Sequence, residues 1–469
     1  MDTRMKKRKL LYVAAEISPY ANAGGLGEVA RSFPKALKES GVYEIRRIMP
    51  YHKAVKATMK YLIDFPVEME NGFETCVVKT DSHDKDMITY FITNDHYYYR
   101  DNIYGYEDDG IRYFFFCRSI LELLRRLDYK PDIIHANDWH TGMLPLLIKK
   151  EFPEIKTVYT VHNISYHGFI PASYLKGLLS MKEQYALGWP EWLNFMSAGI
   201  LYSDLLTTVS PGYCEEMKDQ SQGCGMTPLI EQRDIPMIGI LNGIDRELYD
   251  PMAEGVLDYP YDSMRIELKH KNRARLREYY KLPDDERPLV AMVTRLDYSK
   301  GIDTLLKAIR FFDFSKLQLL IMGSGNLHYQ GLLADITSSY PGSLTVDFVY
   351  STHMAKKIYA GADIYLMPSL FEPCGLGQLY AMRYGAVPIV NPVGGLKDTV
   401  IDNRRKPRKS NGFYMQEWSG NALNEALNRA LEAYHTPDWK YLIKNGMNYD
   451  SSWEKSVSQY LDHYDALFP

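Results

Sequence analysis

Glu372 stands at the exit of an apolar run, 362–367, and Pro373, Cys374, Gly375, Leu376, Gly377 and Gln378 follow it. A carboxylate placed where a buried strand gives way to glycines and a helix can hold ligand hydroxyls and support a developing positive charge. Arg295 and Lys300, five residues apart, bracket a turn after a second apolar run, 288–293. Arginine brings a planar fork and lysine a point charge, a combination suited to phosphate oxygens. A third set of groups lies earlier in the chain: His135, Asn137, Asp138 and His140 after one run, His162, Asn163 and His167 after the next. Polar groups released together at one sheet edge can hold hydroxyls and shape an electrostatic pocket. Four histidines also raise the question of a metal. None is paired at i, i+4 in an apolar helix and no cysteine joins them, so no metal is expected.

These groups need a frame. Apolar runs of strand length alternate with helical patterns along the whole chain, which predicts α/β architecture with parallel sheets. In the first half the strands are expected at 9–15, 43–49, 87–93, 132–136, 157–162, 205–209 and 236–241, with a hairpin over 67–79. In the second half they are expected at 288–293, 317–322, 344–349, 362–367 and 387–390. Gly24, Gly25 and Gly27 open a helix marked by Leu26, Val29, Phe33 and Leu37, with Gly41 as its stop. Such a loop predicts backbone N–H groups and a helix dipole turned toward an anion. Met322-Gly323-Ser324-Gly325 forms another strand-to-glycine turn, and Asn242-Gly243 is a strong turn pair.

A chain of 469 residues exceeds one ordinary core. The stretch from Tyr249 to Ser263 has turn residues and no clear period and reads as a linker. We therefore expect domains over 1–245 and 246–450, with a helical, aromatic tail from 451 to 469. A net charge of −4 gives no reason to expect nucleic acid. Five scattered cysteines favour a reducing cytoplasm. The short apolar segment after Lys9 runs into Glu16 and reads as a buried strand rather than a signal peptide; no run is long enough for a membrane. The basic run Arg404–Lys409 reads as a solvated loop. The 38 tyrosines suit either sugar stacking or core packing.

The ordered set of motifs resembles the bacterial glycogen synthase and plant starch synthase family. Phe371–Gln378 resembles its FEPCGLxQ and 394–400 its GGLxDTV. Residues 135–142 resemble HxHDWHxG, and 161–168 VHNxxYxG. Residues 208–213 resemble TVSPxY, 240–245 ILNGxD, 294–301 RLxxxKG, and 99–105 a tyrosine-bearing loop near the glucosyl site. The resemblance implies a GT-B fold, two Rossmann-like doubly wound domains facing a deep inter-domain cleft, with the tail crossing back to the first. It implies a retaining glucosyltransferase that extends an α-1,4-glucan from a nucleotide glucose, ADP-glucose first, with no metal or other cofactor. Two alternatives stay open: a related retaining enzyme using UDP-glucose or a small acceptor, and a catalytically impaired glucan-binding homologue. By the same resemblance, Glu372, His162, Asp138, Arg295 and Lys300 are the catalytic groups. Asn22, Gly24, Gly25, Asn242, Gly323, Tyr350, Cys374, Gly375, Leu376, Gly377 and Thr399 bind the donor. The chain departs from the pattern at Asn22, where the family has lysine, at Asn137, where it has histidine, and at Glu28, where it has aspartate.

Overall fold

The computed structural model describes residues 7–81, 87–189, 191–404 and 408–468. The chain divides into two compact units, Met1–Gly243 with Trp453–Pro469, and Ile244–Ser452. Of the basic run, Arg404, Arg408 and Lys409 are exposed, and residues 405–407 lie outside the described residues.

The first unit contains β1 (Arg8–Val13), β2 (Tyr43–Pro50), β3 (Met59–Met69), β4 (Gly72–Asp81), β5 (Thr89–Thr93), β6 (Ile133–Asn137) and β7 (Lys156–Val161). It continues with β8 (Phe169–Pro171), β9 (Gly188–Trp189), β10 (Trp192–Asn194), β11 (Leu205–Thr208) and β12 (Ile238–Gly239). Nine of these strands form one sheet in the order β12-β11-β7-β6-β1-β2-β5-β4-β3. From β12 to β5 every pairing is parallel. The hairpin β3–β4 adds antiparallel strands at the edge. It is longer than the 67–79 read from the sequence, because only Phe65 and Val67 of β3 are buried and its first half carries no alternating signal. The expected strand at 236–241 shrinks to two edge residues. A small antiparallel sheet, β8-β10-β9, had no counterpart in the sequence reading.

The second unit contains β13 (Leu289–Val293), β14 (Gln318–Met322), β15 (Leu344–Asp347), β16 (Ile364–Met367), β17 (Val387–Val390) and β18 (Phe413–Tyr414). All pair in parallel, in the order β15-β14-β13-β16-β17-β18. Both faces are covered, as parallel sheets require. Val290 and Met292 enter one apolar cluster, Leu289 and Ala291 the other. The stretch read as a linker is not a free connection. Tyr249, Leu257 and Tyr261 are buried in the second unit's core, and Tyr249 stacks on Tyr380 at 3.7 Å between ring centres. Its lack of period reflects irregular packing, not solvation.

In each sheet the strand order runs outward in both directions from one central pair: β1 and β6 in the first unit, β13 and β16 in the second. At such a switch point two neighbouring connections leave on opposite faces and open a crevice at the carboxyl edge. In the first unit the helix Trp453–Asp465 packs against the helix Gly25–Glu39. Phe33 lies 4.7 Å from Tyr460 and 5.4 Å from Trp453 between ring centres. Most of the largest fully buried side chains are tyrosines, among them Tyr12, Tyr113, Tyr159 and Tyr365, so at these positions the residue serves packing. Among the described residues no helix is long and apolar enough to cross a membrane.

Candidate active site

The residues singled out for chemistry gather at the carboxyl edges of the two sheets, and each edge is built from its own unit. In the first, β1 leads through Ala14 and Ala15 to Glu16, which is 2% exposed. The Glu16 carboxylate accepts from the Ala23 N–H, and the N–H groups of Gly27 and Gly24 also favour its charge. Burial outweighs them and pushes its pKa up to about 7. The neighbouring side chain of Asn22 accepts from the Gly24 N–H at 3.2 Å and donates to Glu28 at 3.1 Å. This corrects the expectation that the glycine loop turns unpaired N–H groups outward: an internal carboxylate and an amide already take them. Asn22, Gly24 and Gly25 remain exposed.

On the other side of the switch point, β6 ends at Asn137 and Asp138 follows, with a φ of +60° that is rare for any residue but glycine. Strain of this kind, on the order of 1–3 kcal/mol, persists only where surrounding contacts impose it. Those contacts are present. The Asp138 N–H donates to the Thr160 carbonyl at 2.9 Å, and its carboxylate accepts the N–H groups of His162 at 3.3 Å and Asn163 at 3.2 Å. Asp138 thereby ties the loop after β6 to the loop after β7. Burial raises its pKa to about 7.

His162 is half-buried, and burial pushes its pKa down to about 3. Its Nε2 lies 3.0 Å from Asn137 Oδ1. His162, Asn137, Tyr12 and Asn242 surround one narrow pocket, backed by Trp453 and Tyr460. His135 sits deeper, with Nδ1 2.6 Å from the Tyr464 hydroxyl and Nε2 2.6 Å from Thr160 Oγ1. His140 is buried against Trp139 and Tyr104. The four histidines do not converge, and no group of three or more metal-ligating side chains occurs among the described residues.

In the second unit, the loop after β13 carries Arg295 and Lys300, and the loop after β16 carries Glu372. The Lys300 ammonium and the Glu372 carboxylate meet at 2.8 Å, both largely buried. The Ser369 hydroxyl donates to the same oxygen, Oε2, at 3.0 Å. The Asn391 amide donates to the Ser369 carbonyl at 2.8 Å. Glu372 Oε1 receives no hydrogen bond among the described residues. One oxygen of the acid is anchored and the other is open. Arg295 is more than half exposed and only loosely paired with Asp297, at 3.6 Å.

Backbone crowding explains the glycines. A Cβ on Gly394 would stand 2.2 Å from the Glu372 carbonyl oxygen, and one on Gly395 2.2 Å from that of Cys374. The Gly395 N–H donates to the carbonyls of Glu372 and Pro373. The GGL segment is thus a prop beneath the Glu372 loop. Gly323 has an analogous role, since a Cβ there would lie 1.9 Å from the Thr294 carbonyl oxygen. Gln378 donates to the carbonyls of Cys374 and Gly375 and to Thr399 Oγ1, which itself donates to the Gly395 carbonyl. Thr399 is therefore a strut inside the loop, with its hydroxyl spent on the protein. That corrects its expected place among the donor contacts. Cys374 is buried, Leu376 and Gly377 partly so, and Tyr350 is exposed beyond β15.

Residues 9–232 match the family described as starch synthase catalytic domain, and residues 276–448 the family of glycosyl transferases group 1. A glycogen synthase from Moorella thermoacetica is 40% identical over 98% of this chain and 96% of its own length. One from Geobacillus thermodenitrificans is 36% identical over 98% of both. The chain belongs to the glycogen synthase family. Among solved structures, the catalytic domain of starch synthase IV from Arabidopsis thaliana, bound to ADP and acarbose, superposes with a TM-score of 0.91. It is 29% identical, covering 98% of this chain and 99% of that one. A sucrose-phosphate synthase from Thermosynechococcus elongatus, 19% identical with a TM-score of 0.66, shares the fold. The chain is a glycosyltransferase of two-domain GT-B architecture.

Among the side chains hydrogen-bonded around these candidate residues, the sequence reading passed over Glu16, Ser369, Asn391 and Tyr12. Glu16 had the same signature as Glu372, a single acid at the exit of a buried strand, and was legible by that rule. Ser369 and Asn391 carried no signal of their own; only the fold brings them under the acid.

Proposed function

We propose that this glycogen synthase relative transfers glucose from ADP-glucose to the non-reducing end of an α-1,4-glucan with retention of configuration. The observation that carries the reading is the Glu372 carboxylate, anchored through Oε2 by Lys300 and Ser369 and open at Oε1. The open oxygen holds a hydroxyl of the donor glucose and supports the oxocarbenium-like charge that develops as the glycosidic bond breaks. Arg295, exposed and weakly paired, takes the diphosphate, and Lys300 adds positive charge beside it. The departing phosphate deprotonates the acceptor hydroxyl on the same face, so no enzyme nucleophile is needed. Asp138 and His162 shape the sugar-binding edge of the first unit.

ADP is favoured as the nucleotide because the similar starch synthase binds ADP. We place the protein in the cytoplasm, since all five cysteines are unbridged and four are buried. Transfer of labelled glucose from ADP-glucose and from UDP-glucose to glycogen tests the reading. Preferential incorporation from ADP-glucose supports it. Preference for UDP-glucose would replace the donor. Absence of transfer from either would favour an impaired glucan-binding homologue, the reading to which Asn22 lends support.

A further inference from the structure

Asn137 stands at the end of β6 and is 1% exposed. The two ends of its amide meet opposite kinds of partner. Nδ2 donates to the Val13 carbonyl at 2.9 Å and the His135 carbonyl at 3.2 Å. Oδ1 accepts from the Tyr12 hydroxyl at 3.0 Å and lies 3.0 Å from His162 Nε2. Turning the amide over would set its oxygen against two carbonyl oxygens, acceptor against acceptor, so its orientation is determined. An amide oxygen has no proton to give. The hydrogen between Asn137 and His162 therefore belongs to Nε2, and in a neutral imidazole Nδ1 is then a bare lone pair. His162 Nδ1 has no hydrogen-bond partner among the described residues.

We propose that Asn137 is a positioning residue that holds His162 in its Nε2–H tautomer, so that Nδ1 serves the site as an acceptor for a sugar hydroxyl. This rests on the reading that His162 faces a sugar. A histidine at position 137 would not impose the same order, because an imidazole partner can present either N–H or lone pair to its neighbour. Tyr12 shares Asn137 Oδ1 but cannot reverse the direction of the bond, since the oxygen accepts from both.

The test is nitrogen NMR of the full-length protein carrying labelled histidine, near neutral pH and without ligand. The His162 signals are identified by their disappearance in His162→Gln. The expected pattern is a protonated Nε2 and a bare Nδ1. A protonated Nδ1, or averaged signals from both nitrogens, overturns the proposal in the unmodified protein. Tyr12→Phe should leave the pattern unchanged, and a changed tautomer there would move control to Tyr12 and overturn it too. Asn137→Leu should produce tautomer averaging, whereas an unaltered pattern in that folded variant would refute the role of Asn137. With the active enzyme, deoxy and fluoro donor analogues at the hydroxyl that meets His162 should each lose roughly tenfold or more in kcat/KM, because fluorine cannot donate. A fluoro analogue that outperforms its deoxy counterpart at every position contradicts the acceptor role. Loss of the glucosyltransferase reading itself would appear as absent transfer in the unmodified enzyme, while the NMR pattern stands independently of it.

Discussion

Glu372 is held by two donors on one oxygen, so removing its charge leaves Lys300 facing a neutral partner in a largely buried site. Glu372→Gln keeps the volume and the Ser369 contact. We expect turnover to fall by roughly 10²–10³-fold, the scale of losing a preorganised electrostatic group, with circular dichroism unchanged and a lowered melting temperature, because the buried ammonium loses its counter-charge. Near-native turnover in the folded variant would remove Glu372 from the reaction. Arg295 has no comparable anchor. Arg295→Ala should weaken ADP binding by about tenfold, through loss of a charge-assisted contact worth roughly 1.5–3 kcal/mol, with little effect on folding. Calorimetry showing unchanged ADP affinity would take it out of the phosphate site. Asn22 sits beside Glu28, which would partly neutralise a lysine there. Asn22→Lys should therefore raise kcat/KM for ADP-glucose only severalfold, since charge near a closed site counts but a neighbouring carboxylate screens it. No change with either nucleotide sugar would separate this loop from the donor.

Elements rather than single side chains decide whether those residues meet. The loop between β13 and the helix Ile302–Ile309 passes through Gly301 at φ +75°, where a Cβ would stand 2.0 Å from the Pro368 carbonyl oxygen. Pro368 leads toward Glu372, so Gly301 sets how closely the lysine loop lies against the acid loop. Gly301→Ala should cost on the order of 1–3 kcal/mol in stability and lower turnover in the variant that folds; urea titration at unchanged stability would contradict this. The central strands were legible because buried parallel strands are nearly continuous apolar runs, as in Leu289–Val293 and Gln318–Met322. Edge elements were not. Phe413–Tyr414 is two residues long and went unread, Ile238–Gly239 was read as a longer strand, and Met59–Met69 is mostly exposed, so only its end at Val67 was read. Within the site, glycines and charges announced themselves by type. What the Asp138 backbone does, and what Glu16 takes from the glycine loop, depends on partners far along the chain and has no local signature.

At the scale of the molecule, buried titrating groups in the first unit pull stability in opposite directions with pH. Glu16 and Asp138 are raised to about 7 from 4.5 and 3.8. Between those limits the folded protein keeps protons the unfolded chain has released, so their contribution falls as pH rises through the window. His52, His135 and His162 are lowered from 6.5 to about 4, 3 and 3. Their contribution is lost as pH falls below 6.5, because the unfolded chain then takes up protons that the folded one refuses. Glu16→Gln removes one of these groups: its stability relative to the unmodified protein should improve as pH rises from about 5 to about 7. Denaturation series giving parallel curves would show that Glu16 does not titrate there. Trp453 and Tyr460 complete the first unit's core from the far end of the chain, so Trp453→Ala should destabilise that unit by about 3–5 kcal/mol, leaving the second unit's transition in place.

That closing helix also sets an order of events during synthesis. The first 243 residues leave the ribosome without the segment that covers Phe33 and the ring of His135. The whole of the second unit, 244–452, must be translated before Trp453 appears. At about 5–20 residues per second this interval lasts roughly 10–40 s. For that time the nascent chain carries an uncovered aromatic seam around Phe33. The half made first is therefore the half finished last, and a released chain truncated after residue 452 should show it by protease cleavage within the first unit while the second is resistant.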